Sequence, residues 1–491
     1  MNIILSRKFL YLLPCFMLLA SACSDFEDIN VDPNEPVRVP TSQLLTSAQR
    51  NLVKEVFGNN NTFGESSYAN MYMQYLANLR GGFDGIYLDV ESDFADFYQE
   101  GLIDLQEIIR LNNDPEIAVS LTASGSNNNQ IAVARILKAW AFHNITDIWG
   151  DIPYTDALGG LSQTLPAYDD QALIYEDILK ELKEASAQIE ISAPGVEGDI
   201  IFGGNMNKWQ LFANALRMRA GLRLSEVDPE KAQEVVNEAY QAGLPSDNTE
   251  SALYRFSASA GNNNPMFYRF NISVPNLGVT NTMIDKLQSL SDPRLPFYAD
   301  VAELGDNAGE YVGMPYGIDR SKGSGIRDEA VSWPDAEKVL GATAPFVMLS
   351  YAEVCFMQAE AASRGWIEGD AETLYQMGIT ASMEYWGVSS DEITGYISQP
   401  AVAYDSNNPL ASIGEQKWIA FYMQGLQAWA EWRRMDYPEL QPAPDAMAGR
   451  PIPRRKGYPP SELTLNQANY ESAISRQGPD NMETRMWWDV Q

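Results

Sequence analysis

The chain has 491 residues, and its 66 acidic and 34 basic side chains give a formal net charge of −32 at pH 7. Such an acidic surface repels phosphate backbones and anionic lipid head groups, so we do not expect nucleic acid as a partner. The composition is otherwise globular, with 45% hydrophobic and 20% charged residues.

The first 22 residues are typical of a lipoprotein signal peptide. Arg7 and Lys8 precede an apolar run from Phe9 to Ala20, which is too short to span a bilayer, since that takes ~20 apolar residues. Small residues then lead to Cys23, which predicts cleavage before this cysteine and attachment of lipid to it. The alternative is an ordinary signal peptide that is cut near a cysteine, but the polar tether SDFEDINVDPNEP that follows favours lipidation.

Cysteine use and charge in the mature chain follow from this cleavage. Cys15 leaves with the signal peptide and Cys23 carries lipid, so only Cys355 remains and no intramolecular disulfide can form. The chain must therefore be held together by burial of its core. Two basic residues leave with the signal peptide, so 34 − 2 = 32 basic residues face 66 acidic ones and the charge becomes −34.

Apolar side chains recur at steps of three and four residues along much of the mature chain, which predicts amphipathic helices. The segments are residues 68–79, 94–109, 137–148, 174–189, 209–220, 349–359 and 418–432. Asp228-Pro229 predicts a capped helix start, and Ser389 with Glu392 predicts a capping box. Successive pairs of helices joined by polar turns indicate an all-α scaffold of stacked, tetratricopeptide-like hairpins, although the full repeat consensus is not met.

This pattern breaks between about Leu244 and Ala344, where Gly, Pro, Asn and Ser are frequent and helical periodicity is nearly absent. A long irregular insert on a helical scaffold is usually either functional or disordered. Its aromatic and arginine residues argue against disorder. A second stretch typical of a loop, Arg80 to Asp89, follows the first predicted helix.

Several segments carry a resemblance to one family through their order and spacing. They read FEDINVDPNEP, RILKAWAFHNITDIWGDIPYTDAL, KWQLFANALRMRAGLRLS, PFVMLSYAEVCFMQAEAASRGW, YQMGITASMEYWG, QKWIAFYMQGLQAWAEWRRMDYP and IPRRKGYPPSE. Over essentially the whole mature chain they resemble the SusD/RagB family of nutrient-binding outer-membrane lipoproteins, in its SusD-like branch.

The resemblance implies a single SusD-like domain from Cys23 to Gln491, with a helical scaffold and an irregular ligand-binding lobe. It also implies a surface-exposed, lipid-anchored protein of the outer membrane that sits as a hinged lid over a SusC-like, TonB-dependent barrel transporter. The acidic residues after the lipidation site, Asp25, Glu27 and Asp28, resemble an export signal to the cell surface. The expected function is capture of oligosaccharides or peptides and their delivery to that transporter.

Catalysis is not expected. His143 is the one histidine, and we interpret it as a buried structural residue because a triad would need a nucleophile and an orienting acid beside it. The chain lacks the Cys and His clusters of zinc sites and the glycine motifs of nucleotide sites, so neither metal nor cofactor is expected.

A hydrolase acting on the same polymers is the main alternative, because Glu353 and Glu360 fall on one helical face. Seven helical residues separate them by about 10.5 Å along the axis, whereas glycosidases hold two carboxyl groups roughly 5–9.5 Å apart. Rotamers could close that gap. We interpret both as members of buried ion pairs with arginines on other helices, such as Arg217, Arg219, Arg433 and Arg434. A non-binding scaffold for the transporter is the third hypothesis.

Aromatic residues in the irregular segments are the candidate ligand contacts, because those in helical patterns are expected in the core. Aromatic rings would stack on a sugar or hold a peptide side chain, and arginines would fix polar groups. The candidates are Phe83, Tyr87, Tyr316, Arg320, Arg327 and Trp333.

The first prediction concerns the anchor. Cys23→Ala should release the protein from membranes, because the remaining chain has no apolar anchor and a repulsive charge. Fractionation of cells that lack the transporter measures this. If the variant still sediments with outer membranes, Cys23 is not the lipidation site.

Overall fold

The computed structural model describes residues 39–58, 64–78, 84–88, 93–259, 261–271, 277–323 and 325–490. The predictions on Cys23 and Phe83 therefore lie outside the described residues. Over these ranges α-helix predominates and the strands are few and short, which confirms the predicted all-α scaffold. None of the helices described there combines the length and the apolar character that crossing a bilayer requires.

The part before the insert consists of neighbouring helices that pack in sequence order. They are α1 (Thr41–Phe57), α2 (Glu65–Tyr72), α3 (Ile103–Asn113), α4 (Asn127–Trp149), α5 (Gln171–Gln188), α6 (Met206–Arg223) and α7 (Pro229–Gln241), with the strands β1 (Leu76–Asn78), β2 (Ile152–Pro153) and β3 (Tyr168–Asp169). A π-helical segment, Phe97–Leu102, leads into α3. Helix α4 packs on α5, α5 on α6 and α6 on α7, as stacked helical hairpins require.

The insert holds short elements joined by loops. They are β4 (Ala252–Tyr254), α8 (Pro265–Asn271), β5 (Leu277–Val279), α9 (Asn281–Ser289), α10 (Leu295–Tyr298) and α11 (Arg320–Gly323). Helix α9 begins at a cap in which the Thr280 side chain accepts a hydrogen bond from the Met283 backbone N–H. Its buried apolar residues are Met283, Ile284 and Leu287, too few for the periodicity to show in the sequence.

A second set of helices follows the insert. The elements are β6 (Phe346–Leu349), α12 (Tyr351–Ser363), α13 (Ala371–Trp386), α14 (Ser390–Ile397), α15 (Pro409–Ala420), α16 (Gly425–Met435), α17 (Pro460–Leu465) and α18 (Gln467–Gln477). One predicted helix over residues 418–432 is wrong, because α15 and α16 are separated by a turn in which Met423 has a φ of 67°. The apolar pattern runs on through the turn because both helices bury residues in the same core.

The predicted helix starts are confirmed. The Asp228 side chain accepts a hydrogen bond from the Lys231 backbone N–H, and Pro229 is the first residue of α7. Ser389 and Glu392 form both hydrogen bonds of a capping box at α14.

Short antiparallel strand pairs attach the insert to the scaffold at two places. Strand β5 pairs with β1, which follows α2, and β4 pairs with β6, which precedes α12. Next to the first pair, the Thr280 backbone N–H donates to the Tyr75 carbonyl at 3.1 Å. The insert is therefore fixed to the helices beside its beginning and in its middle.

Buried ion pairs join α12 to α6 and α16, as predicted for Glu353 and Glu360. Arg219 donates two hydrogen bonds of 2.6 Å to Glu353, and Arg434 donates two of 2.6 Å to Glu360. All four side chains are at most 1% exposed. Burial alone would raise the pKa of Glu360, but the Arg434 guanidinium outweighs it and holds that pKa at about 2.

The second prediction concerns this pair. Glu360→Ala should lower the free energy of unfolding by about 3–5 kcal/mol, because it breaks the buried pair with Arg434 and leaves that charge with Glu431 alone. Urea denaturation measures the loss. The matched control is Glu234→Ala, which removes an ion pair whose two side chains are 44% and 57% exposed, and should cost less than about 1 kcal/mol. A Glu360→Ala protein of normal stability that has lost turnover of a polysaccharide would support the hydrolase hypothesis instead.

Candidate functional site

Two of the predicted ligand contacts, Tyr87 and Tyr316, lie in the core. Their rings are 0% and 6% exposed, and their hydroxyl oxygens are 3.1 Å apart. The Tyr87 hydroxyl also accepts a hydrogen bond of 2.9 Å from the Ala443 backbone N–H. Rings so enclosed have no open face in this structure, and the pair ties the segment 84–88 to the insert and to the loop after α16.

The other predicted contacts lie nearer the surface. Trp333 is half-buried, donates from Nε1 to the Asp328 carbonyl at 3.0 Å and meets the Phe270 ring edge-on at 5.8 Å between centroids. The Arg327 side chain is 70% exposed and 3.7 Å from Glu329. Arg320 begins α11, but its side chain lies outside the described residues. Trp333 and Arg327 are therefore accessible from solvent, and their role in binding stays a prediction.

The sole histidine is structural, as predicted. His143 Nε2 lies 3.2 Å from the Tyr175 hydroxyl and 3.5 Å from Asp147 Oδ2, and the ring is buried. Burial outweighs the attraction of Asp147 and lowers the pKa of His143 to about 4, so the ring is neutral at pH 7. Among the residues that the structure describes, no cluster of His, Cys, Asp and Glu could hold a metal ion.

A cavity of about 350 Å³ lies between the end of α1 and the first half of the insert. We call it the insert cavity. Its lining residues are Arg50, Val53, Lys54 and Gly58 from α1 and its end, and Tyr254, Phe256, Gly261, Asn262, Asn263 and Pro265 from the insert. The two sides are joined across the cavity where Arg50 Nη2 donates to the Gly261 carbonyl at 3.2 Å.

Three polar side chains of the insert cavity have unused hydrogen-bonding capacity. Arg50 is exposed and, within the described part of the chain, faces no carboxylate within ion-pair distance, whereas Lys54 lies 2.8 Å from Glu100 and 3.2 Å from Glu55. Tyr254 is 7% exposed, and its hydroxyl has no hydrogen-bond partner among the described residues. The side-chain oxygen of Asn263 is buried and also unpaired. A buried polar atom without a partner is costly, so the Asn263 oxygen favours a polar ligand, and Arg50 and Tyr254 can contribute further hydrogen bonds to it.

An aromatic wall completes the cavity. The half-buried Phe256 ring packs against Tyr254 with 5.1 Å between centroids and against Phe57 with 6.1 Å. Burial raises the pKa of Tyr254 more than the nearby Arg50 lowers it, so its hydroxyl stays protonated and can donate. An aromatic ring beside a few convergent donors and acceptors is typical of a site for a neutral, polar organic ligand.

Sequence reasoning missed these residues. The segment Gly261 to Pro265 was predicted to be a loop, but its partners on α1 lie about two hundred positions earlier in the chain. Arg50 lies on the polar side of an amphipathic helix, where the sequence pattern predicts only a solvated surface charge. Only the tertiary fold brings Arg50 to Tyr254 and Asn263.

Comparisons with known proteins identify relatives. The SusD-like family model, described as starch-binding and associating with the outer membrane, matches residues 33–459. No match was found among curated proteins. The solved structure of a chitin-binding protein is 28% identical, with a TM-score of 0.79, over 92% of this chain and 100% of that one.

Two further solved structures are similar. A SusD homologue from Bacteroides uniformis is 25% identical, with a TM-score of 0.77, over 91% of this chain and 99% of that one. A chitin-binding SusD homologue from Flavobacterium johnsoniae is 24% identical, with a TM-score of 0.76 and the same coverage, which shows a shared fold.

Proposed function

This chain belongs to the SusD-like family, and on that premise we propose that it captures a nutrient oligosaccharide at the cell surface and delivers it to a transporter. The observation that carries the proposal is the insert cavity, where Arg50, Tyr254 and Asn263 have unused hydrogen-bonding capacity beside the Phe256 ring. Its volume of about 350 Å³ falls within the usual range of roughly 300–1,000 Å³ for ligand sites.

The proposed ligand is neutral. The charge of −34 on the mature chain disfavours a polyanionic glycan, because long-range repulsion would slow its association. A solved structure that is 28% identical to this chain is that of a chitin-binding protein, so oligomers of N-acetylglucosamine are the first ligands to test. Their acetamido group offers an acceptor to Arg50 and Tyr254, a donor to Asn263 and a methyl group to Phe256.

Helix α8 extends the proposed site toward Trp333. It begins with Pro265 in the wall of the insert cavity, and its Phe270 contacts Trp333. Its seven residues span about 10 Å. An oligomer of several sugar units bound in the cavity would therefore reach Trp333, which remains a proposed stacking residue, with Arg327 a proposed polar contact.

The proposed role is binding without catalysis. The carboxylates of Glu353 and Glu360 are both buried against arginines, so neither is free to act as an acid or a nucleophile. We further propose that lipid on Cys23 anchors the protein and that a SusC-like, TonB-dependent transporter is its partner. The signal sequence supports the anchor, and family membership supports the partner.

The third prediction tests the insert cavity. Arg50→Ala and Phe256→Ala should each weaken binding of chitotetraose by about 2 kcal/mol, because each removes a buried contact with the ligand. Titration calorimetry measures the change. The matched control is Arg110→Ala, which removes an arginine paired with Glu107 at the surface of α3. Equal affinities of the Arg50 and Arg110 variants for chitotetraose would contradict the proposal. Binding of peptides and not of sugars would show that the proposed ligand class is wrong.

The fourth prediction concerns Trp333. Trp333→Ala should cost about 2 kcal/mol or more of binding, and it should leave the melting temperature nearly unchanged if the ring serves the ligand. Calorimetry and a thermal scan measure the two effects. Lost stability with intact binding per folded molecule would mean that Trp333 belongs to the core and that the ligand stays within the cavity.

A further inference from the structure

A second and larger recess, of about 610 Å³, lies on another part of the molecule. We call it the aliphatic cleft. It is bounded by the π-helical segment before α3, by the loop between β2 and β3, and by Glu462 of α17. It shares no residue with the insert cavity, so it needs a function of its own.

The walls of the cleft are largely aliphatic and stay open to solvent. Ile103 is 37% exposed at the start of α3, and Leu158 and Pro166 face it from the loop. Leu165 and Leu463, next to lining residues in the chain, are 58% and 50% exposed. Exposed apolar residues that cluster around one recess, in contrast to single scattered ones, are typical of an interaction site.

Specific hydrogen bonds hold the loop in this form. The Tyr98 hydroxyl donates to the Pro153 carbonyl at 2.6 Å, and the Asn466 amide donates to the Pro166 carbonyl at 3.0 Å. Leu158 has a φ of 64°, the left-handed region that a branched side chain seldom adopts. A loop kept strained by its surroundings is a feature of binding surfaces.

The polar groups of the cleft favour a ligand with a positive charge. Glu462 Oε2 accepts hydrogen bonds from the Tyr168 hydroxyl at 2.7 Å and from the Asn466 amide at 3.2 Å. Within the described part of the chain, no basic residue lines the cleft and Glu462 has no ion-pair partner. Gln99 and Gln163 add exposed amides. The cleft therefore suits a ligand with aliphatic groups, amide groups and a positive charge.

We propose that the aliphatic cleft is a docking site for an extended segment of a partner protein that presents a lysine or arginine between aliphatic residues. The aliphatic side chains of the partner segment would cover Ile103 and Leu158. Its lysine or arginine would pair with Glu462, and its backbone amides would form hydrogen bonds with Gln99 and Gln163. A sugar fits less well, because the Phe94 ring is only 3% exposed and the Tyr98 hydroxyl is already bonded.

The probe is the blocked peptide acetyl-Leu-Lys-Pro-Leu-amide, titrated into the full-length mature protein and followed by calorimetry. It should bind saturably, and the same peptide with Glu in place of Lys should bind at least about tenfold more weakly. Ile103→Asp should weaken binding about tenfold or more, because the aliphatic contact is lost. Glu462→Gln should weaken the Lys peptide by about fivefold and leave a peptide with Gln in place of Lys unaffected.

Two controls separate this site from others. Val119→Asp changes a residue that is 79% exposed outside the cleft, and it should bind the peptide normally. Ile103→Asp should retain the affinity for chitotetraose. Equal binding of the Lys and Glu peptides, or no binding at the limit of peptide solubility, would overturn the proposal. Binding only by peptides with free, charged ends would also overturn it, since it would indicate a nutrient peptide and not an internal segment of a partner.

Discussion

The buried ion pairs among α6, α12, α15 and α16 are the constraint on which the rest of the structure depends. They are Arg219–Glu353, Arg434–Glu360, Arg223–Glu431 and Lys417–Glu431. Each charge is stable in the interior only while its partner is in place, because an unpaired buried charge costs several kcal/mol. Helices from opposite sides of the insert must therefore meet in one register, and α12, whose two glutamates both take part, is fixed between them. Burial and the neighbouring Arg434 lower the pKa of Lys417 to about 7, against the attraction of Glu353 and Glu360, which raises it.

This constraint also determines where function can lie. The helices bury their apolar faces and many of their charged groups against one another, which leaves Glu353, Glu360 and His143 without catalytic freedom. Ligand binding is therefore expected in the irregular segments, which the helical scaffold fixes in place but leaves partly exposed to solvent. The β1–β5 and β4–β6 pairs fix the insert to the helices, so that Tyr254 and Asn263 stand opposite Arg50. The loop between β2 and β3 is held by hydrogen bonds from the side chains of Tyr98 and Asn466.

Much of the scaffold could be predicted from the sequence, because amphipathic periodicity, caps and buried carboxylates leave local signals. The start of α7 and the capping box of α14 follow from residues within one turn of each other, and the pairing of Glu360 with an arginine follows from a carboxylate on an apolar helical face. The turn at Met423 leaves no such signal, because the apolar stripe continues through the change of helix when both helices face one core. The residues of the candidate site were harder to predict from the sequence than the helices. Tyr87 lies in a segment typical of a loop, yet its ring is buried, and Arg50 lies opposite Tyr254 and Asn263 of the distant insert. Both facts depend on the tertiary fold and not on the local sequence.

A helical frame with buried ion pairs, an attached irregular lobe and an acidic surface together support the proposal that this protein binds a neutral ligand. The central claim is that this ligand occupies the space between α1 and the insert. A crystal structure of the mature protein soaked with chitotetraose tests it most directly. The account predicts sugar density in the insert cavity, with a ring or acetamido group against Phe256 and a hydrogen bond from Arg50. Density confined to a face of the helical hairpins, with the insert cavity empty, would contradict it.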